Sequence, residues 1–162
     1  QGGYGMAGLY TELMPLVGEN VYVFERLMKN YVPKLNDHFE VQDISPSLYA
    51  PQLFITCFLY NMPFAVCLRI WDLMIFEGYD VLFPIALSLF KLSESALLRC
   101  SFDEIMAFVR FDNNPDSTAK PFQLEPEELI RTSLKIPIKP KSIQRFRNEY
   151  RKKQISKKSS IN

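Results

Sequence analysis

The stretch 63–78, PFAVCLRIWDLMIFEG, constrains the chain most, because it is apolar on nearly every side and holds the only tryptophan. Phe64, Cys67, Leu68, Trp71, Met74 and Ile75 recur at helical spacing, while Val66, Ile70 and Leu73 extend apolar surface around the cylinder. A helix that is apolar all round is expected in a core, so the pattern predicts a buried central helix with neighbours on several sides. Pro63 suits a first helical position, where its missing N–H is no loss, and Gly78 suits a C-terminal cap at positive φ. Arg69 and Asp72 lie three residues apart in this rod, within reach of each other. They are expected to form a structural ion pair or to anchor two neighbouring loops separately, since an unpaired buried charge is costly.

With 162 residues, 48% of them hydrophobic and 14% aromatic, the chain can bury a sizeable core as one domain. The longest apolar run, 53–68, is broken by Asn61 and Pro63 and falls short of the roughly 20 residues of a membrane span, so a soluble chain without a transmembrane segment is expected. Position 1 is Gln and no signal-peptide pattern follows, so the chain is expected to start inside a longer protein. Cys57, Cys67 and Cys100 are odd in number and set among apolar residues, which argues against a disulfide framework or a zinc site and for a reducing cytoplasm. No metal is expected.

Charge is unevenly spread. Residues 139–162 carry nine Lys or Arg and one Glu, a balance of +8, which leaves −7 for the first 138 residues of a chain whose total is +1. A basic tail on an acidic body reads as a solvated terminal helix or as a peripheral contact with acidic membrane. A nucleic-acid module would spread positive charge over its folded face, so no nucleic-acid partner is expected.

Further along the chain, Val21, Phe24, Leu27, Met28 and Tyr31 predict a helix stopped by Pro33, with Glu25 and Lys29 as an i, i+4 pair. A short piece at 35–39 holds His38, the only histidine, expected as a hydrated surface residue. Ser45-Pro46 and Pro51 mark two helix starts, and Asn61 with Pro63 makes a corner that would pair the helix before it with the central one. Asp80 is expected to cap a helix over Phe83, Leu87 and Phe90, Ser93 to cap a shorter one, and Ser101 with Glu104 to form a capping box. Residues 112–123 read as a loop, Pro126 opens a helix, and Ile143, Phe146 and Tyr150 lay one stripe along a basic helix. The Gly-rich start, 1–9, lacks the Lys and Ser/Thr of a phosphate-binding loop. Alternating strand patterns are absent, so the chain is expected to be all-α.

Tyr49-Ala50-Pro51, Phe54-x-Thr56-x-Phe58, Arg69-Ile70-Trp71-Asp72 and Glu77-Gly78, in this order and spacing, resemble the C-terminal half of a TBC domain. That family consists of all-helical GTPase-activating proteins for Rab GTPases, the switches of intracellular vesicle-mediated transport. The resemblance implies an irregular multi-helix bundle, with 1–138 as the C-terminal part of the domain and 139–162 as a basic helix and frayed tail. Gln1-Gly2, followed by Met6-Ala7-Gly8-Leu9, matches the latter part of the family's Tyr-x-Gln-Gly motif, which implies that Gln1 is the glutamine finger. The arginine finger belongs to an Ile-x-x-Asp-x-x-Arg motif that does not occur in the 162 residues, and is expected upstream. Arg69 does not substitute for it, because Arg69, Trp71, Asp72, Glu77 and Gly78 form the family's structural motif. Leu53 stands where the family usually has Trp.

The function so implied is activation of a Rab-family small GTPase in trans, in the cytoplasm and peripherally on endomembranes. No cofactor of the chain's own is expected, GTP and Mg²⁺ being held by the partner. The alternative is a catalytically inactive TBC-like scaffold or GTPase-binding adaptor. No nucleophile and base are spaced for stand-alone chemistry.

Overall fold

Proline punctuation divides the chain. The computed structural model describes residues 15–59, 62–110 and 125–159, and among these every regular element is helical. Four helices begin on a proline, where no N–H is needed: α1 (Pro15–Tyr31), α2 (Pro33–Val41), α7 (Pro126–Lys135) and α8 (Pro140–Ser159). Pro33 thus opens α2 one residue after it ends α1. Ser45 caps a 3-10 turn, Pro46–Leu48, by accepting the Ser47 N–H at 3.3 Å, and α3 (Ala50–Ile55) follows. Then come α4 (Phe64–Glu77), a second 3-10 turn (Tyr79–Val81), α5 (Leu82–Leu97) and α6 (Phe102–Arg110). At the start of α6 the Ser101 N–H and hydroxyl both donate to Glu104 Oε2, at 2.8 and 2.9 Å. These bonds to the charged form hold the Glu104 carboxyl below its usual range.

Several local expectations change. Ser93 starts no new helix; it is buried inside α5, because the apolar period runs through it unbroken. Asp80 is no cap but binds an arginine of α8. Lys29 lies 3.6 Å from Glu40 of α2 instead of pairing along its own helix with Glu25. α3 packs on α1 rather than forming a pair with α4. Residues 112–123, Asn61 and 1–9, Gln1 included, lie outside the described residues.

The largest correction concerns which helix is central. It is α5, not α4. Leu82, Phe83, Ile85, Ala86, Leu87, Leu89, Phe90 and Leu97 of α5 are all fully buried, with α1, α2, α4 and α7 packed around them. Phe90 is the hub: its ring lies 5.4 Å from Tyr49, 5.9 Å from Phe24, and 6.0 Å from both Phe39 and Phe108, in tilted or edge-on contacts. By contrast α4 buries only Val66, Cys67 and Ile70. Its contacts come from α5, α7 and the Tyr79–Val81 turn, which cover one side of the cylinder.

α8 lies along α1. Ile143 and Phe146 are buried there, and Tyr150 passes so close to Gly18 that a β-carbon at that position would collide with its hydroxyl. Beside this contact the Glu19 carboxylate, only 7% exposed, sits between two guanidinium groups of α8. Arg151 donates to it from Nε at 2.7 Å and from Nη2 at 3.1 Å, and Arg147 Nε lies 3.2 Å away. Arg147 also grips Asp80 with both terminal nitrogens, at 3.0 and 2.5 Å. Tyr22 of α1 adds a ring contact with Tyr150 at 5.6 Å and lies under the Lys153 ammonium at 4.9 Å. Several charges of the basic helix are therefore used in holding the fold.

Phe90→Ala is expected to lower stability by about 3–5 kcal/mol, since it opens a cavity shared by several rings. Gly18→Ala should lower it by about 1–3 kcal/mol through overpacking against Tyr150. Chemical denaturation of each variant checks both figures.

Candidate functional surface around helix 4

The family-like motifs meet where the turn after α3 touches α4. Thr56 closes α3 by donating its hydroxyl to the Gln52 carbonyl at 2.9 Å. Cys57 (φ 47) and Phe58 (φ 68) then adopt left-handed backbone, a conformation that costs a residue with a β-carbon roughly 1–2 kcal/mol. Burial of the Phe58 ring offsets this, and α4 ties the turn down: the Trp71 indole N–H donates to the Cys57 carbonyl at 3.1 Å. The Cys67 thiol adds a weak bond to the Phe58 carbonyl at 3.5 Å. Trp71 is thus half-buried, an anchor rather than the centre of a core.

At the C-terminal end of α4, Gly78 takes φ 86 and ψ 176, a region open essentially to glycine alone. The turn it permits brings Tyr79 into the core. There its hydroxyl donates to the Phe54 carbonyl at 2.9 Å and accepts from Asn20 Nδ2 at 3.1 Å. Trp71 and Gly78 together fix the position of α4.

The charged members of the motif face outward. Arg69 Nη2 lies 3.2 Å from Glu127 Oε1 of α7, with both side chains mostly exposed. Asp72 is exposed and makes no ion pair among the described residues; Glu77 is likewise exposed at the helix end. The pair expected between Arg69 and Asp72 does not form. Neither charge is buried, so neither needs the other. Arg69, Asp72, Leu73 and Phe76 instead line a groove of about 250 Å³ against Pro126, Glu127 and Ile130 of α7. Phe64 (63% exposed), Leu68 (44%) and Ile75 (58%) share a neighbouring stripe of α4, and Phe76 on the groove side is 85% exposed. An apolar patch rimmed by charges suits contact with another protein surface. Sequence periodicity pointed to burial here; the signal against it was the placing of Arg69 and Asp72 on what proves to be the outer side.

Other reactive groups serve the fold. His38 Nε2 lies 3.1 Å from the Cys100 carbonyl, joining α2 to the turn after α5. Burial pushes the Cys57, Cys67 and Cys100 thiols up, which keeps them protonated and poorly nucleophilic near neutral pH. Among the described residues there is no group of three or more His, Cys, Asp or Glu able to hold a metal ion. No described helix is long and apolar enough to cross a membrane. Gln1 lies outside the described residues; α1, which follows that segment, is the helix that α8 clamps through Glu19 and Gly18.

A family model described as the Rab-GTPase-TBC domain matches residues 2–98. Among curated proteins, the chain is 27% identical over 149 residues to the GTPase activating protein Gyp51 of Schizosaccharomyces pombe, covering 91% of this chain and 14% of that protein. It is 35% identical over 107 residues to the GTPase-activating protein GYP5 of Saccharomyces cerevisiae, covering 66% of this chain and 12% of that one. The Ecotropic viral integration site 5 protein of Mus musculus is 26% identical over 149 residues, 91% of this chain and 18% of its own length. The chain thus spans 12–18% of the length of these relatives.

Trp71→Ala is expected to destabilise by roughly 2–3 kcal/mol, less than a fully buried tryptophan, because one side of the ring already meets solvent. A double-mutant cycle between Arg69 and Glu127 should give a coupling below about 1 kcal/mol, the range of exposed pairs, as read from denaturant midpoints.

Proposed function

Because the chain belongs to the Rab-GTPase-TBC domain family, we propose that it forms part of a GTPase-activating protein for a Rab-family small GTPase. The family match over 2–98, which begins at Gly2, one residue after Gln1, carries this reading, and the names of Gyp51 and GYP5 as GTPase-activating proteins support it. A slow GTPase lacks charge against the transferring phosphoryl group and holds its attacking water loosely. In this reading an arginine from an upstream segment meets the developing charge, and the Gln1 amide orients the water. GTP and Mg²⁺ belong to the partner, so this chain needs no cofactor of its own. Its task is placement. The α1–α8 clamp at Glu19 steadies the helix that follows the Gln1 segment, and α4 with its exposed apolar side belongs to a protein-binding surface.

A peripheral contact with acidic membrane, on the cytoplasmic face of endomembranes, fits the same reading. Lys139, Lys141, Lys152 and Lys157 are exposed along or just before α8, while Arg147 and Arg151 are engaged with α1 and Asp80. Deleting 139–162 would therefore remove fold contacts together with charge. Neutralising the four lysines separates the two, and each is expected to contribute up to about 1 kcal/mol to binding of phosphatidylserine vesicles.

The exposed apolar residues of α4 favour a second reading, an adaptor that holds a GTPase without accelerating it. Single-turnover GTP hydrolysis decides between the two, measured over a panel of Rab proteins with a polypeptide extended upstream through the arginine motif. Acceleration of about a thousandfold or more that falls by about a hundredfold in Gln1→Ala is expected. No acceleration on any Rab, with binding retained, would establish the adaptor instead.

A further inference from the structure

Helix α8 outruns the helix it packs on. The two run antiparallel: at one end the Tyr31 hydroxyl donates to the Pro137 carbonyl at 3.1 Å, and at the other Gly18 meets Tyr150. Gly18 lies less than one turn from Pro15, the first residue of α1, so Pro15 falls opposite about Lys153. Residues 154–159 are still helical and run on past that point, by roughly 9 Å at about 1.5 Å per residue. Lys157 bears this out, because it continues the inner stripe of Ile143, Phe146 and Tyr150 and yet is exposed. The root of this projecting end is held firmly, by Arg151 on Glu19 and by Tyr150 on Gly18.

Unspent charge collects on the same end. In the anchored part of α8, Arg147 is taken up by Glu19 and Asp80, and Arg145 lies 3.7 Å from Glu149. Glu149 is the last acid of the chain, and Lys152, Lys153, Lys157 and Lys158 follow it. Lys152 and Lys157 are exposed and make no ion pair among the described residues; Ile155, between them, is 66% exposed. Residues 1–138 carry −7, so an anionic surface repels the body while it attracts this end, and both effects turn the molecule the same way. The end is a convex tip with one apolar side chain among lysines, not a groove or a broad patch. Lysine stems lie along hydrocarbon while their ammonium groups stay with the headgroups, a combination that suits a deformable lipid layer.

We propose that the projecting end of α8 meets an anionic lipid surface end-on, with Ile155 entering the headgroup region and Lys152 and Lys157 bound to lipid anions. This rests on the membrane contact proposed above and specifies its geometry: the solvent side of α8 near Lys141 stays off the lipid, and the end of α1 that continues the Gln1 segment turns toward the membrane. The test is binding of the 162-residue chain to vesicles of phosphatidylserine and brominated phosphatidylcholine. Lys152→Gln with Lys157→Gln is expected to weaken binding about tenfold or more, and Lys139→Gln with Lys141→Gln less than about threefold. All four lysines are exposed, so thermal midpoints should not move. Bromine should quench the fluorescence added by Ile155→Trp but not that added by Gln144→Trp, with Trp71 of the unaltered chain as the baseline. Equal losses from the two lysine pairs, or equal quenching at 144 and 155, would show a helix lying flat and overturn the end-on contact while leaving the membrane reading in place. No binding of the unaltered chain would remove the membrane reading and this inference together. A loss of affinity for a Rab protein in vesicle-free solution, with vesicle binding unchanged in the Lys152 and Lys157 variant, would assign the end to an acidic protein surface instead.

Discussion

Burial of the first half of α5 on nearly every side is the constraint on which the other helices depend. A helix of sixteen residues with eight fully buried apolar positions needs cover from several directions, and α1, α2, α4 and α7 supply it. Phe90 shows how tightly the directions are linked, since its ring touches aromatic side chains from α1, α2, α6 and the start of α3. Edge-to-face contacts of this kind have restricted geometry, so the angle of each neighbouring helix is tied to that of the others. α4 then lies on the periphery, fixed at its middle by Trp71 and at its C-terminal end by Gly78 while its outer side stays open.

The second constraint is electrostatic. Glu19 is a carboxylate in a largely buried position, stable only because Arg147 and Arg151 reach it from α8. Arg147 extends the cluster to Asp80, so one side chain links α1, α8 and the turn that leads into α5. The close approach at Gly18 lets α8 come near enough for these bonds. The helix that is clamped also follows the segment holding Gln1, the residue proposed to orient the attacking water.

Much of the local structure was legible in the chain itself. Proline positions mark four helix starts, Ser101 and Glu104 make their capping box, and Ile143 with Phe146 and Tyr150 forms the inner stripe of α8. Gly78 needs its left-handed backbone for the turn to Tyr79. Less legible was anything that depends on partners distant in sequence. The charge count of 139–162 could not show that Arg147 and Arg151 are engaged by Glu19 and Asp80, because those residues lie 67 or more positions away. The groove between α1, α2 and the Pro46–Leu48 turn left no motif either, since each gives it only a few residues.

The error over α4 shows where the boundary falls. Periodicity states which residues share a side of a helix, and the chain by itself determined an all-α class, some of the helix boundaries and the family motifs. It does not state how many sides have neighbours. Only the tertiary structure decided that α5 rather than α4 is enclosed, that Arg69 binds Glu127 rather than Asp72, and that Arg147 and Arg151 close on Glu19. Burial and ion pairing are properties of surfaces brought together by the fold, and one helix's sequence holds only one of those surfaces.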